Sequence, residues 1–314
     1  MALRIAINGF GRIGRNVMRM AFDRPDVEFV HINDLTSDEM LAYLLKHDTV
    51  HGIWKHEVEA VEGGIRIGNT VIPTTAERNP ANLPWAERGV DVVLECTGAF
   101  TDGNKARAHI DAGARKVVIS APGNNVDGTF VMGVNDDTLD PAKHNVISNA
   151  SCTTNCLGPA AKVLHDLVGI ESGLITTVHS YTMDQNLLDA PHAKGKFRRA
   201  RAAAQNMVPT TTGAAKAVGL VMPELNGKLD GMAIRVPTPN VSLVDLVFRP
   251  SRDTTAEEIN AAFVAAEKGA LKGILATSTA PIVSSDLIGN PASSIIDLPL
   301  TKVLNGGLVK VLTW

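Results

Sequence analysis

Apolar and polar positions along the chain fall into two regimes. Up to about residue 150, short apolar runs alternate with stretches of helical spacing. Arg4 to Asn8 reads as a strand and Ile13 to Phe22 as a helix; Val27 to Asn33 reads as a second strand, with a helix through Leu41, Leu44 and Leu45 after it. Residues 90–96 and 116–120 are near-continuous apolar runs bounded by Gly and Pro. Strands of that kind are buried on both faces, as in a parallel sheet covered by helices. The alternation predicts a Rossmann-type, doubly wound α/β domain over residues 1–150.

Beyond residue 150 the strand-like segments lengthen and alternate more: Gly173 to Val178, Met232 to Val236 and Val241 to Phe248. They predict a mixed or antiparallel sheet, and so an α+β second domain over residues 151–314. Thr255 to Lys268 has helical spacing, with Ile259, Phe263 and Ala266 on one side, acidic residues near its start and Gly269 after its end. Asp184 to Met207 is polar, basic and weakly periodic, a long loop of the kind that serves a site or an interface.

Composition narrows the classes. Of 314 residues, 45% are hydrophobic and 20% charged, which excludes a disordered chain, and the formal net charge of −3 comes without a run of one sign. No nucleic-acid footprint is visible. No segment approaches the roughly 18 uninterrupted apolar residues of a spanning helix, so no membrane partner is expected. The three cysteines, Cys96, Cys152 and Cys156, give no disulfide framework and suit a reducing compartment, with cytoplasm the expectation. No C-x-x-C or paired His spacing accompanies them, and no metal site is expected.

Chemistry enters at Gly9-Phe10-Gly11-Arg12-Ile13-Gly14, which follows the first strand and opens the first helix. Glycines there permit a tight turn and close approach of backbone to a pyrophosphate, whose charge sits at the helix N-terminus. Asp34 ends the second strand 20 residues after Gly14, where a carboxylate accepts hydrogen bonds from the adenosine ribose. A carboxylate there repels a 2′-phosphate and favours NAD over NADP. Its other reading is a cap on the helix beginning near Ser37. A second focus is Ser148-Asn149-Ala150-Ser151-Cys152-Thr153-Thr154-Asn155-Cys156. It places Cys152 at a strand-to-helix turn, where the helix dipole increases its thiolate fraction. Cys156, one turn on, and Cys96 read as small buried side chains. Pro159 removes a helical donor and predicts a bend. His179 ends an apolar strand; spacing does not show whether it meets Cys152.

The Ser148–Cys156 segment resembles the active-site signature of the phosphorylating glyceraldehyde-3-phosphate dehydrogenase family. So do Asn8 to Arg15, His179-Ser180-Tyr181-Thr182, Pro209 to Lys216 and Arg235 to Asn240, in order along the chain. The resemblance implies NAD-dependent oxidation of D-glyceraldehyde 3-phosphate to 1,3-bisphosphoglycerate, a glycolytic reaction, through a thiohemiacetal and a thioester on Cys152 with His179 as base. It implies a substrate-phosphate pocket of Thr182 and Arg235. It also implies a pocket for inorganic phosphate from Ser151, Thr153, Thr212 and Gly213, with Arg199 nearby. Gly9, Gly11, Arg12, Ile13, Gly14, Asp34, Arg78, Ser120, Thr97 and Phe100 match cofactor positions, Phe100 reading equally as core. Lys196, Arg198 and Arg201 read as interface or solvated charges. The family is usually a homotetramer with the long loop at a subunit interface.

Two departures accompany the resemblance. The family pattern continues past Trp314 with Tyr-Asp-Asn-Glu-Trp-Gly and a closing helix, including an asparagine for the nicotinamide carboxamide; this chain stops before them. Residues 192–197 make the loop slightly longer than usual. The alternatives are therefore the related erythrose-4-phosphate dehydrogenase, which releases its product by hydrolysis, and a cofactor-binding protein of impaired catalysis. Thr182 and Thr212-Gly213 favour the phosphorylating type.

Overall fold

The computed structural model describes residues 2–314. They form two compact units, one comprising the residues up to Phe130 with Thr138–Ala150, the other Val131–Asp137 with Ser151–Trp314. Residues 131–137, expected in the first domain, thus pack with the second. There Gly133, at φ 75, leaves no room for a side chain against Leu271 and Ile274.

The first unit is built on Leu3–Asn8, which pairs in parallel with Val27–Asn33 on one side and Val92–Glu95 on the other. Lys116–Ile119 and Val146–Ser148 continue the parallel sheet outward. Leu3–Asn8 is therefore where the order of winding reverses, the position in such sheets at which ligands lie beyond the carboxyl ends of the strands. From Ile5 onward its apolar positions are sealed on both faces, with Ala6 and Ile7 at 0% exposure. Facing clusters hold Ile5, Phe10, Met18 and Ile32 on one side, and Val30, Trp85, Val93 and Val117 on the other. The antiparallel strands Val58–Val61, Gly64–Ile67 and Thr70–Thr75 extend this sheet past Val27–Asn33.

The second unit centres on Ile170–Ser180. It pairs in parallel with Leu229–Val236 and antiparallel with Leu243–Pro250, so the sheet is mixed. Against it lie the helices Cys152–Val168 and Ala256–Lys268, the second capped by the Thr255 hydroxyl, which accepts from the Glu258 amide. The helix Cys152–Val168 runs without interruption through Pro159. In the long loop the only regular element among the described residues is the short 3-10 turn Phe197–Ala200.

Candidate active site

The cofactor motif occupies the switch point of the first unit. Gly9 has φ 90, and a Cβ on it would lie 2.6 Å from the Thr97 amide nitrogen, so only glycine lets these two loops meet. Gly14 lies equally close to the Gly9 carbonyl oxygen, letting the helix Arg12–Ala21 pack tightly on its strand. That helix begins at Gly11 with no capping side chain and no acidic residue in its first turn. Open space surrounds Gly11. First-turn amides left in this way are suited to a pyrophosphate.

Asp34 accepts from the Phe10 amide at 2.7 Å and the Thr36 amide at 3.0 Å, while Ser37 forms the N-cap of Asp38–Lys46. The carboxylate thus organises the glycine loop instead of capping that helix, and each oxygen keeps a lone pair for a ribose hydroxyl. Arg12 pairs with Asp48. Ile13 is exposed beside Arg12 and Arg78 is exposed on its turn, both available to a ligand. Thr97 gives its amide and hydroxyl to Glu95. Ser120 donates its amide to the Glu95 carbonyl and sits beside Cys96. Phe100 packs on the core edge-on to His109, which favours its core reading. The donor set fits a dinucleotide.

The catalytic candidates come together in the second unit. Ala150 takes φ 63 just before the helix, and Ser151 caps it, its Oγ accepting from the Thr154 amide at 3.0 Å. Cys152 is the first residue of that helix. Its sulfur lies 3.3 Å from His179 Nε2. His179 Nδ1 lies 2.7 Å from the Ser180 carbonyl, which only accepts, so Nδ1 carries a proton. In the neutral ring Nε2 is then the free base, facing the thiol. The thiol reaches solvent but is crowded by protein atoms, and that desolvation works to raise its pKa. The hydrogen bond and charge of His179 outweigh it, with Thr153 adding through side chain and amide, and the thiol is held below its ordinary value. Cys156 differs: buried, with Thr313 and the Trp314 carbonyl around its sulfur, it is pushed up to about 12.

Arg235 follows from strand register, because His179 pairs with it across the parallel strands. One of its nitrogens donates to Thr182 Oγ1 at 2.9 Å and to the Ser180 carbonyl at 3.0 Å. Arg199 donates to Thr210 Oγ1 at 3.1 Å and pairs with Asp184, which also accepts from the Thr182 hydroxyl. Asp184 therefore ties Arg199 to the Thr182–Arg235 pair. Reading the sequence missed Asp184; its only signal is its place two residues after Thr182. Thr212 Oγ1 accepts from the Ala214 amide, and Gly213 opens the helix Ala214–Val221 without a capping side chain. Thr154 Oγ1 reaches the Ala214 carbonyl at 3.5 Å, so the turn bearing Ser151 and Thr153 sits beside the one bearing Thr212 and Gly213.

Comparison with known proteins decides the family. Residues 151–314 match the model of the glyceraldehyde 3-phosphate dehydrogenase C-terminal domain, and residues 3–103 that of its NAD binding domain. The chain belongs to the glyceraldehyde-3-phosphate dehydrogenase family. Similar curated proteins include glyceraldehyde-3-phosphate dehydrogenase 1 of Streptomyces avermitilis and glyceraldehyde-3-phosphate dehydrogenase of Geobacillus stearothermophilus. Each is 58% identical over 100% of this chain and 93% of its own length. The enzyme of the same name from Cereibacter sphaeroides is 56% identical over the same shares. As a member of this family the chain is an NAD-dependent oxidoreductase. Among the described residues no helix is long and apolar enough to cross a membrane, and no cluster of metal-ligating side chains is present.

Proposed function

We propose that the chain oxidises and phosphorylates D-glyceraldehyde 3-phosphate, with Cys152 as nucleophile and His179 as base. The observation that carries this reading is the 3.3 Å approach of the Cys152 sulfur to His179 Nε2. The thiolate adds to the aldehyde carbon while His179 passes the proton it took from the thiol to the carbonyl oxygen, giving a thiohemiacetal and a free imidazole. Bound NAD supplies the acceptor for the two electrons that this carbon then loses. His179 Nε2 takes the hydroxyl proton as the thioester forms. Inorganic phosphate attacks the thioester carbon, the Cys152 sulfur leaves as thiolate, and 1,3-bisphosphoglycerate is released. Keeping water from the thioester preserves the energy of oxidation in the acyl phosphate.

Thr182 and Arg235 would hold the C3 phosphate. Ser151, Thr153, Thr212 and Gly213 would receive the attacking phosphate, with Arg199 closing this side; hydroxyls, an amide and guanidinium forks are suited donors. Gly9, Gly11, Arg12, Ile13, Gly14, Asp34, Arg78, Thr97, Ser120 and the edge of Phe100 would hold NAD. In this reading residues 1–150 apart from 131–137 form the dinucleotide-binding domain, and residues 151–314 with 131–137 the catalytic domain.

We also propose a cytoplasmic homotetramer. In the long loop Leu187, Leu188 and Phe197, with Met183 just before it, are each more than 70% exposed, an apolar surface that suits burial against another copy. The mass in solution tests it. Mass spectrometry of the enzyme quenched after mixing with aldehyde and NAD, phosphate withheld, tests the chemistry. The 3-phosphoglyceryl group is expected on the peptide bearing Cys152, and an unmodified Cys152 after turnover overturns it.

A further inference from the structure

We infer that Ser242 and Val241 act as positioning residues, clamping the Ser180 peptide so that its carbonyl serves both His179 and Arg235. The inference rests on the proposed roles of those two side chains. That one carbonyl accepts from His179 Nδ1 at 2.7 Å and from Arg235 Nη1 at 3.0 Å. It fixes which nitrogen of the imidazole faces Cys152 and where the guanidinium stands beside Thr182.

Ser180 is held from the crossover between the strands Leu229–Val236 and Leu243–Pro250. The Ser180 amide donates to Ser242 Oγ at 3.1 Å, and the Ser180 hydroxyl donates to the Val241 carbonyl at 2.8 Å. A second tie follows one residue on, where the Tyr181 amide donates to the Thr238 carbonyl at 3.2 Å. Val241 has φ 63, a backbone conformation that a β-branched residue adopts only when its surroundings enforce it. This turn aims the Val241 carbonyl and the Ser242 hydroxyl at the same neighbour, and the reciprocal serine bonds hold it there. A sheet ladder alone does not supply this. Ser180 is the last residue of its strand; the ladder to Leu229–Val236 reaches it opposite Val236, but the ladder to Leu243–Pro250 ends at Val178 opposite Leu243, leaving that side to the clamp.

A functional consequence follows from sharing. When Arg235 engages an anion, its bond to the Ser180 carbonyl carries that change to His179, which shares the same acceptor. The charged groups facing this pair are Cys152, Arg199 and Asp184. Substrate phosphate and proton transfer are thus coupled through a backbone oxygen rather than by contact of the two side chains.

Ser242→Ala tests the clamp, with Ser242→Thr as the conservative control. In Ser242→Ala the Ser180 amide, in the peptide just before the one that carries the carbonyl, loses its acceptor, and the Ser180 backbone is held on that side no longer. The Michaelis constant for the aldehyde is expected to rise and kcat to fall, each by roughly tenfold. The pH midpoint of Cys152 alkylation by iodoacetate is expected to move up towards an ordinary thiol, and Ser242→Thr should restore all three. A role confined to stability lowers Tm and the active fraction but leaves midpoint and Michaelis constant in place; that outcome overturns the inference. Should Ser242→Ala not fold, Ser180→Ala removes only the bond to Val241, and unchanged values there overturn it equally. Alkylation needs no substrate, so the clamp is read even if the wild-type chain fails to turn over this aldehyde.

Discussion

The Cys152 sulfur and His179 Nε2 stand 3.3 Å apart, and the far side of the imidazole is fixed by its 2.7 Å bond to the Ser180 carbonyl. The ring is oriented by backbone, without a carboxylate behind it. A proton leaving the thiol therefore meets a lone pair whose direction is set before substrate arrives. The helix N-terminus at Cys152 adds a positive potential to the same sulfur.

The first consequence is a pH profile. Because His179 holds the thiol below its ordinary value, the thiolate persists as pH falls below about 8.5, where a free cysteine is largely protonated. Alkylation of wild-type enzyme by iodoacetate should rise through a midpoint below that value. In His179→Asn the midpoint should move up, and kcat should drop by about 10²–10⁴-fold, as expected when a general base is lost.

Selectivity among the thiols is a second consequence. Burial pushes Cys156 up to about 12 and Cys96 up to about 11, so neither ionises near neutral pH. Peptide mapping after brief alkylation should find label on Cys152 alone, with Cys156 and Cys96 labelled only after unfolding.

Asp34 makes a third. Replacing it with Ser removes both the proposed ribose acceptor and the Phe10 amide bond that shapes the glycine loop. The Michaelis constant for NAD should rise by about tenfold, and the preference over NADP should shrink, since the carboxylate no longer repels a 2′-phosphate. Steady-state kinetics with both cofactors measure it.

Asp184 supplies a fourth. Its carboxylate is crowded, which works to raise its pKa, but bonds from Thr182 and Arg199 prevail and keep it ionised near neutral pH. Asp184→Ala frees Arg199 and the Thr182 hydroxyl together. The Michaelis constant for the aldehyde should change by at least about threefold while Cys152 alkylation stays as in the wild type, because Asp184 does not touch that sulfur.

Much of this was legible in the sequence, and the reasons differ by region. The parallel strands around Leu3–Asn8 are buried on both faces and so appear as continuous apolar runs. The glycine motif could be placed because the strand before it and the helix after it were both readable. The hairpins over residues 58–75 were not read. Val58–Val61 and Gly64–Ile67 span only four residues each, too short for their alternation to stand out, although Ile65, Ile67 and Ile72 are buried and glycines mark the turns. The bend expected at Pro159 shows no break in the assigned helix. His179 could be suspected, but its meeting with Cys152 depends on the fold bringing a strand end beside a helix start. Asp184 and the Ser180 carbonyl left no pattern, since one lies in an aperiodic loop and the other is backbone. Val241 belongs with them: nothing in Asn240-Val241-Ser242 announces a left-handed residue.

The most direct measurement is the rate of NADH formation from D-glyceraldehyde 3-phosphate with and without inorganic phosphate, on the wild-type enzyme and on Cys152→Ser. Sustained turnover should require phosphate in the wild type and be absent in Cys152→Ser. Turnover that continues at the same rate without phosphate, or that survives loss of the thiol, would contradict a thioester on Cys152 resolved by phosphate.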